Sequence, residues 1–295
     1  MTAGVHERPL PRLLIVNCSP DALLQRVAAE GSLKYDALFM ASIGLHVPQG
    51  QTLEHFTLNV ADGESLPQGV QIGDFDGVWI SGSPFNAYRL DQPTVVEQIE
   101  LARAVWQAAV PTFGSCWGLQ LMTAALGGTV HLNPRGREIG VARRIRPTEA
   151  GRGHALLRGK EGTFDALCTH EDEVATLPPG ATVLASNETS AVQAATICEG
   201  GRSFWGVQYH PEFDFAAVAA IIAIRVERHL NEGLARSREE VAAIVADFRD
   251  LSRDPARKDL AWRYGVGADV LDPKRRTAEF GNWLTAEVLP AAARR

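Results

Sequence analysis

The sequence lacks the features that are typical of membrane, secreted and nucleic-acid-binding proteins. No apolar run in its 295 residues is long enough to span a bilayer, and the run at residues 13–16 is far too short for the hydrophobic region of a signal peptide. The formal net charge of −6 argues against a surface that binds nucleic acid or anionic lipid. We therefore expect a soluble cytoplasmic protein that binds neither nucleic acid nor membranes.

Cysteine is scarce, and its spacing is not that of a disulfide framework or a zinc site. The four cysteines are Cys18, Cys116, Cys168 and Cys198, with no CxxC pair among them, so we expect reduced thiols. The sequence also shows no internal repeat, no phosphate-binding loop, no cluster of metal-ligating residues and no ATP-pyrophosphatase loop. We therefore expect neither a metal nor an organic cofactor.

One cysteine lies in a distinctive setting. An apolar run at residues 110–113 predicts a buried strand, which ends at a glycine, and an apolar helix pattern begins directly after Cys116. Gly114 and Gly118 flank the cysteine, as in a nucleophile elbow, a sharp strand-to-helix turn that needs small neighbours. An isolated cysteine is more often a small buried apolar residue. The two glycines favour a nucleophile instead, and a helix N-terminus favours its thiolate.

A second motif contains the groups that a thiol nucleophile needs. Residues 204–209 are rich in aromatic and β-branched side chains, which predicts a strand that Pro211 ends. His210 and Glu212 therefore lie together at the end of that strand. A base must take and return the proton, and a third group must orient the base. We therefore predict a catalytic triad of Cys116, His210 and Glu212.

The two motifs, FGSCWGLQ at residues 113–120 and GVQYHPE at residues 206–212, resemble the signatures of class I glutamine amidotransferase domains of the triad type. The resemblance extends over residues 12–232 and includes the glutaminase domains of GMP synthases and stand-alone γ-glutamyl peptidase-like proteins. It implies an oxyanion hole made by the main-chain N–H groups of Ser83 and Trp117. Ser83 stands where the family has the second glycine of a Gly-Gly-Pro turn, and a main-chain donor tolerates that change if the backbone angles suit serine.

The resemblance also implies a substrate pocket. Its expected members are Gly82, Gln120, His170 and Asp172, the last two in a segment that resembles the family's Ser-His-x-Asp-x-Val. From the residues alone, His170 is either a second catalytic base or a structural or binding residue at a strand end. We favour the second interpretation because His210 is better placed, and we interpret Glu138 as a structural residue that ties loops together.

Alternating patterns predict the fold class. Residues 75–80, 94–109 and 110–113 are typical of strand, helix and strand, which is the order of a βαβ unit. We predict an α/β fold with a doubly wound, mostly parallel sheet, a nucleophile elbow at the carboxyl ends of its strands, and a C-terminal helical extension. Residues 129–197 predict a meander of short strands beside the site, and residues 216–230 predict one helix on the sheet.

These patterns divide the chain into an N-terminal arm at residues 1–11, a glutamine amidotransferase-like domain at residues 12–233 and the extension at residues 234–295. In the extension, Ser237 begins a capping box followed by an apolar stripe. That helix either packs on its own domain, which we favour, or binds a partner. A last helix from Asp272 onwards is too apolar on one side to be left in water, so it must pack somewhere.

The resemblance implies an enzyme that hydrolyses the γ-amide of glutamine through a γ-glutamyl thioester. The first hypothesis is a glutaminase that releases ammonia for a separate synthase. The first alternative is a free-standing γ-glutamyl peptidase or hydrolase, and the second is a non-catalytic scaffold or regulator. The complete triad argues against a scaffold, because a protein without activity has no use for all three groups.

Overall fold

A nine-stranded sheet organises the computed structural model, which describes residues 10–160 and 162–294; most of the predicted N-terminal arm lies outside those residues. The strands are β1 (Arg12–Asn17), β2 (Glu54–Asn59), β3 (Gly77–Ile80), β4 (Thr112–Ser115), β5 (Thr129–Leu132), β6 (Glu138–Pro147), β7 (Phe164–His170), β8 (Asp172–Thr176), β9 (Ala181–Ser186), β10 (Ala194–Glu199) and β11 (Arg202–Val207). Their order in the sheet is β2-β1-β3-β4-β11-β10-β9-β6-β7, while β5 and β8 pair separately.

The five strands from β2 to β11 pair in parallel, and the four strands beyond β11 pair antiparallel. The antiparallel part corresponds to the predicted meander, although the pattern analysis did not find β8. Strand β8 follows β7 after one residue, and its pairing with β5 gives it a place outside the main sheet. The parallel part contains the predicted elbow strand β4 between β3 and β11.

Helices cover both faces of the sheet. They are α1 (Asp21–Ala29), α2 (Tyr35–Gly44), α3 (Pro93–Gln107), α4 (Trp117–Ala125), α5 (Glu149–Gly153), α6 (Phe215–Ala223), α7 (Val226–Asn231), α8 (Arg238–Arg253), α9 (Lys258–Arg263), α10 (Ala268–Leu271), α11 (Pro273–Arg276), α12 (Ala278–Trp283) and α13 (Leu289–Ala292). A π-helical turn at Leu284–Val288 joins the last two, and 3₁₀ turns lie at Val60–Asp62, Ile72–Asp74 and Ala155–Leu157. None of the helices in the described ranges is both long and apolar enough to cross a membrane.

The side chains of β1 separate the two faces. Leu13 and Ile15 are buried in a core shared with α1, α2 and α6, whereas Leu14 and Val16 are buried in a second core shared with α3 and α4. Alternate residues of a strand point to opposite faces, so a continuous apolar strand must be covered twice. This arrangement confirms the predicted doubly wound α/β fold. We call the first core the α1/α2/α6 face and the second the α3/α4 face.

The C-terminal helices pack on the α1/α2/α6 face. In α12, the ring of Phe280 lies 5.0 Å from the rings of both Phe39 and Phe113, and all three side chains are fully buried. Near the start of β3, a Cβ atom on Gly77 would lie 2.8 Å from Val288, so only glycine fits under this segment. The expectation that the last helix packs is confirmed, and it packs against the central sheet.

Helix α8 also docks on its own chain, as favoured from the sequence. The Ser237 hydroxyl accepts a hydrogen bond from the Glu240 N–H, which caps the helix, and Phe248 packs edge-on against Phe215 of α6 with their centroids 5.3 Å apart. The prediction of one continuous helix at residues 216–230 was wrong. Two helices, α6 and α7, occupy that stretch, and the chain breaks between them at Ile224 and Arg225.

Candidate active site

Cys116 lies in the sharp turn between β4 and α4. Its backbone is at φ 51° and ψ −99°, a conformation that costs an L-residue on the order of 1–3 kcal/mol, and its N–H donates to the Val207 carbonyl at 2.7 Å. A Cβ on Gly114 would lie 2.5 Å from the Gly118 carbonyl carbon, and a Cβ on Gly118 would lie 2.5 Å from the Ile80 oxygen. Both glycines are therefore required by close approach, as the nucleophile-elbow interpretation expects.

His210 and Glu212 follow β11, the parallel neighbour of the elbow strand. The His210 Nδ1 atom lies 2.6 Å from Glu212 Oε1, and both side chains are buried. The imidazole stacks on the Phe213 ring at 3.8 Å with an interplanar angle of 1°, so its orientation is fixed on two sides. A Cβ on Gly82 would lie 2.6 Å from His210 Cε1, which places this predicted pocket residue against the back of the imidazole.

The His210 imidazole interacts electrostatically with Cys116, and both residues line one pocket. Burial by itself lowers the pKa of His210, but the charges of Glu212 and Cys116 outweigh burial and raise it to about 10. The imidazolium is therefore the stable form of His210 at neutral pH. The structure thus brings together all three predicted triad residues.

Two glutamines extend this arrangement. The Gln208 Nε2 atom lies 3.5 Å from Cys116 Sγ as a hydrogen-bond donor, and the Gln120 Nε2 atom donates to Gln208 Oε1 at 3.1 Å and to the Asp172 carbonyl at 3.1 Å. Gln120 was predicted from the family resemblance, whereas Gln208 was not predicted. Gln208 could have been predicted from its position two residues before His210, because residues two apart in an extended segment point to the same side.

The two main-chain N–H groups predicted for an oxyanion hole have no acceptor among the described residues. Trp117 is the first residue of α4, where an N–H has no partner inside the helix. Ser83 lines the pocket, and its hydroxyl donates to the Cys18 carbonyl at 2.8 Å, which ties the turn after β3 to the end of β1. The φ angle of Ser83 is not positive, so the serine occupies this turn without the conformation that would demand glycine.

His170 lies at the end of β7 with both ring nitrogens engaged. Its Nδ1 atom lies 3.1 Å from the Asp172 carbonyl and its Nε2 atom lies 3.0 Å from Glu138 Oε2. Glu138 also accepts from Asn187 at 2.6 Å and from Gln193 at 2.7 Å, so it ties β6 and β7 to the loop between β9 and β10. His170 has no free nitrogen for proton transfer, and its position agrees with the structural interpretation.

The Asp172 carboxylate lines the same pocket. It accepts hydrogen bonds from Asn86 Nδ2 at 2.7 Å and from the Tyr88 hydroxyl at 3.3 Å. Burial raises the pKa of Asp172, and these two hydrogen bonds oppose that change. A partly desolvated carboxylate beside a nucleophile is suited to hold a substrate ammonium group.

Three arginines that the pattern analysis did not single out also line the pocket, namely Arg137, Arg225 and Arg228. Arg137 and Arg228 each form ion pairs with Glu171 and Glu232. Arg137 lies next to Glu138 in the segment before β6, whereas Arg225 and Arg228 lie near the start of α7. Tertiary packing brings these two distant parts of the chain to one pocket.

Comparison with known proteins gives this site a family context. A family model for glutamine amidotransferase class-I matches residues 51–219. The chain is 32% identical over 229 residues to a gamma-glutamyl-L-1-hydroxyisopropylamide hydrolase from a Pseudomonas species, and the match covers 76% of each protein. It is 37% identical over 145 residues to a glutamine-hydrolyzing GMP synthase from Methylobacillus flagellatus. That second match covers 46% of this chain and 25% of the synthase, so the chain spans a quarter of the synthase's length.

Solved structures show the same fold. A glutamine amidotransferase from Thermotoga maritima superposes with a TM-score of 0.62 at 16% identity, covering 92% of this chain and 98% of the other. A glutamine amido transferase from Methylobacillus flagellatus superposes with a TM-score of 0.59 at 24% identity, covering 96% of this chain and 94% of the other. At these identities, the likeness establishes the architecture and leaves the chemistry to the site itself.

Proposed function

The chain belongs to the class I glutamine amidotransferase family of cysteine-dependent amide hydrolases, and we propose that it hydrolyses a γ-glutamyl amide through a γ-glutamyl thioester on Cys116. One observation carries the proposal. A thiol at a strained elbow shares a pocket with a buried imidazole that is held at 2.6 Å by a buried carboxylate. Each of these three groups has a role in acyl transfer.

In the acylation step, the Cys116 thiolate attacks the γ-carbonyl carbon of the substrate, and the carbonyl oxygen becomes an oxyanion. The unpaired N–H groups of Ser83 and Trp117 are the donors that would stabilise that charge. The His210 imidazolium then gives its proton to the amide nitrogen, the C–N bond breaks, and the amine leaves. Glu212 stabilises the imidazolium and orients the ring throughout this step.

In the deacylation step, neutral His210 accepts a proton from a water molecule, and the hydroxide attacks the thioester carbonyl. The C–S bond breaks, glutamate leaves, and the Cys116 thiolate and the His210 imidazolium are restored. The Gln208 amide, 3.5 Å from the sulfur, is a further donor that stabilises the thiolate in both resting and departing states. No oxidant, reductant or second substrate other than water is needed.

The γ-glutamyl group itself fits the end of the pocket formed by Asp172 and Gln120. The Asp172 carboxylate would bind the α-ammonium group of the substrate. Gly82 admits the His210 ring by having no side chain, and His170 holds the Asp172 main chain in place. These two residues therefore support the site through shape and position.

A free-standing γ-glutamyl hydrolase is the form of this activity that the comparisons favour. The Pseudomonas hydrolase matches along most of both chains, whereas the GMP synthase matches only part of this chain and a quarter of the synthase. The second candidate is a glutaminase that hands ammonia to a separate synthase, favoured by the same GMP synthase matches. Measuring rates on glutamine and on γ-glutamyl-ethylamide separates them, because a free-standing hydrolase acts without any added protein.

The proposal is tested by comparing Cys116→Ala with Cys198→Ala. Cys198 is an exposed free thiol on β10, which makes it a matched control for loss of a cysteine. We expect glutamate release from γ-glutamyl-ethylamide and from glutamine to vanish in Cys116→Ala and to stay at the wild-type rate in Cys198→Ala. Glutamate release by a folded Cys116→Ala protein would refute the proposed nucleophile.

A further inference from the structure

Arg225 is a positive charge in the active-site pocket, and no described residue forms a hydrogen bond or ion pair with its guanidinium. It lies at the break between α6 and α7, lines the pocket that holds Cys116 and His210, and is half-buried. Among the described residues, its guanidinium forms no hydrogen bond or ion pair. Burial lowers the pKa of Arg225 from its ordinary value, and the interactions with Tyr35 and Glu171 oppose this change without outweighing it.

The neighbouring arginines differ from Arg225 in this respect. Arg137 Nε lies 2.7 Å from Glu232 Oε2, and Arg228 Nε lies 2.8 Å from Glu232 Oε1, while Glu171 pairs with both. Two carboxylates therefore balance two guanidinium groups. Arg225 is left as the excess cation of this cluster, and an anion that enters the pocket would be drawn to it.

The position of Arg225 indicates which part of a substrate it would meet. It follows α6, and beside it lies Tyr35 at the start of α2, both on the α1/α2/α6 face. The Tyr35 ring lies 5.4 Å from the Phe213 ring, which in turn stacks on His210. Arg225 thus belongs to the side of the pocket from which His210 acts. Gln120 lies on the opposite side, on α4 of the α3/α4 face.

That side of the pocket is where the departing amine must lie. His210 protonates the amide nitrogen, so the leaving group extends from the reacting carbon towards the imidazole and its neighbours. The γ-glutamyl group extends the other way, towards Gln120 and Asp172. A group bonded to the amide nitrogen would therefore meet Arg225, and the group that satisfies a guanidinium best is a carboxylate, which can accept two parallel hydrogen bonds.

We propose that Arg225 binds a carboxylate carried by the leaving amine, so that the preferred substrates are γ-glutamyl amino acids rather than γ-glutamyl alkylamides or glutamine. This inference rests on the proposed γ-glutamyl hydrolysis and adds the class of leaving group to it. The α-carboxylate of the γ-glutamyl group is the other source of the same chemistry. Substrates that all keep the α-carboxylate and differ in the leaving group distinguish the two sources.

The test measures kcat/KM on γ-glutamyl-glycine and on γ-glutamyl-ethylamide for wild type, Arg225→Gln, Arg225→Lys and Arg238→Gln. Arg238 pairs with Glu227 on the surface, so Arg238→Gln removes one positive charge without touching the pocket. We expect Arg225→Gln to lose about 10- to 100-fold on γ-glutamyl-glycine and less than about threefold on γ-glutamyl-ethylamide, as for a hydrogen-bonded charge pair. Arg225→Lys should fall between, through KM, and Arg238→Gln should match wild type on both substrates.

Two results would overturn the inference. Equal losses on the two substrates would mean that Arg225 binds the α-carboxylate that they share, and no loss on either would mean that it binds no carboxylate. Binding of γ-glutamyl-glycine to the Cys116→Ala protein, measured by calorimetry with and without Arg225→Gln, tests the contact without turnover. If wild type hydrolyses neither substrate, the proposed function fails, and this binding measurement still decides the role of Arg225.

Discussion

Two buried histidine–glutamate pairs border the same pocket, and they differ in what the second nitrogen of each imidazole meets. At the end of β11, the His210 Nδ1 atom hydrogen-bonds Glu212, and the ring interacts electrostatically with Cys116 in the shared pocket. At the end of β7, His170 uses Nε2 for Glu138 and Nδ1 for the Asp172 carbonyl. The His210 imidazole interacts with a reactive thiol. Both nitrogens of the His170 imidazole are instead engaged by groups that hold the fold together.

A His–Glu pair alone therefore does not indicate a catalytic site. The carboxylate orients the ring in both places, and burial is nearly complete in both. The function depends on the contact of the remaining nitrogen, because only a nitrogen that faces a reacting group can move a proton to or from it. Variants of the two pairs test this difference in function.

The largest contrast is expected between His210→Asn and His170→Asn. His210→Asn removes the imidazole that interacts with Cys116, so kcat/KM for γ-glutamyl-ethylamide should fall roughly 10⁴- to 10⁶-fold, the range seen when a triad base is lost. His170→Asn should lose less than about tenfold. Steady-state kinetics on proteins with matched circular dichroism spectra measures both, and comparable losses would erase the distinction between the two histidines.

The glutamates should differ in the same direction. Glu212→Gln keeps the shape of the side chain but removes the charge that stabilises the imidazolium, so kcat should fall roughly 10²- to 10⁴-fold. Glu138→Gln leaves the charge at His210 unchanged, and kcat should stay within about threefold of wild type. Pre-steady-state mixing can locate the Glu212→Gln loss. If acylation and kcat are both unchanged, Glu212 has no part in the mechanism.

Stability should respond in the reverse order. Glu138 accepts hydrogen bonds from His170, Asn187 and Gln193, and a glutamine in its place would turn an acceptor into a donor that faces other donors. We expect Glu138→Gln to lower the free energy of unfolding by about 1–3 kcal/mol in urea titrations at pH 7. Burial by itself raises the pKa of Glu138, but the hydrogen bond and charge of His170 and the two amide hydrogen bonds lower it below 4.5.

The pH dependence of this penalty has a definite sign. A carboxylate whose pKa is lowered by folding stabilises the protein above its unfolded pKa and stops doing so as the pH falls through its folded pKa. The difference between wild type and Glu138→Gln should therefore shrink in acid, below about pH 4.5. A difference that grew on acidification would contradict the assigned contacts.

A further effect on stability concerns the opposite pH range. The pKa of His210 is raised from 6.5 to about 10, so its contribution to stability is fully present below pH 6.5 and is lost as the pH rises towards 10. Wild type should lose stability relative to His210→Asn over this window, with a slope of at most about 1.4 kcal/mol per pH unit. Urea titrations at several pH values measure the slope, and a constant difference would show that His210 stays neutral.

The local features of the site were predictable from the sequence because local constraints create them. Gly114 and Gly118 are required within a few residues of Cys116, and His210 and Glu212 share one strand end, so short motifs carry the information. The doubly wound fold was predictable for a similar reason, since the apolar strand β1 has to be covered on both faces. The resemblance added Ser83 and Gln120, which no local pattern marks.

The remaining features arise from long-range packing. Nothing in the apolar pattern of residues 216–230 indicates the break that turns Arg225 into the pocket, because that stretch contains neither proline nor glycine. The place of the last helices was equally hidden. An apolar stripe shows that Phe280 is buried but not that it packs on Phe39 and Phe113 below the elbow strand. Such contacts depend on partners far apart in the chain.

The most direct test of the central claim is to look for the acylated enzyme. Wild-type protein and Cys198→Ala are mixed with γ-glutamyl-ethylamide, quenched in acid within the first turnover, digested and examined by mass spectrometry. We expect one γ-glutamyl group on the peptide that contains Cys116 in both proteins. This group should be lost when the mixture is incubated at neutral pH before quenching. Turnover without acylation of Cys116, or acylation at another residue, would contradict it.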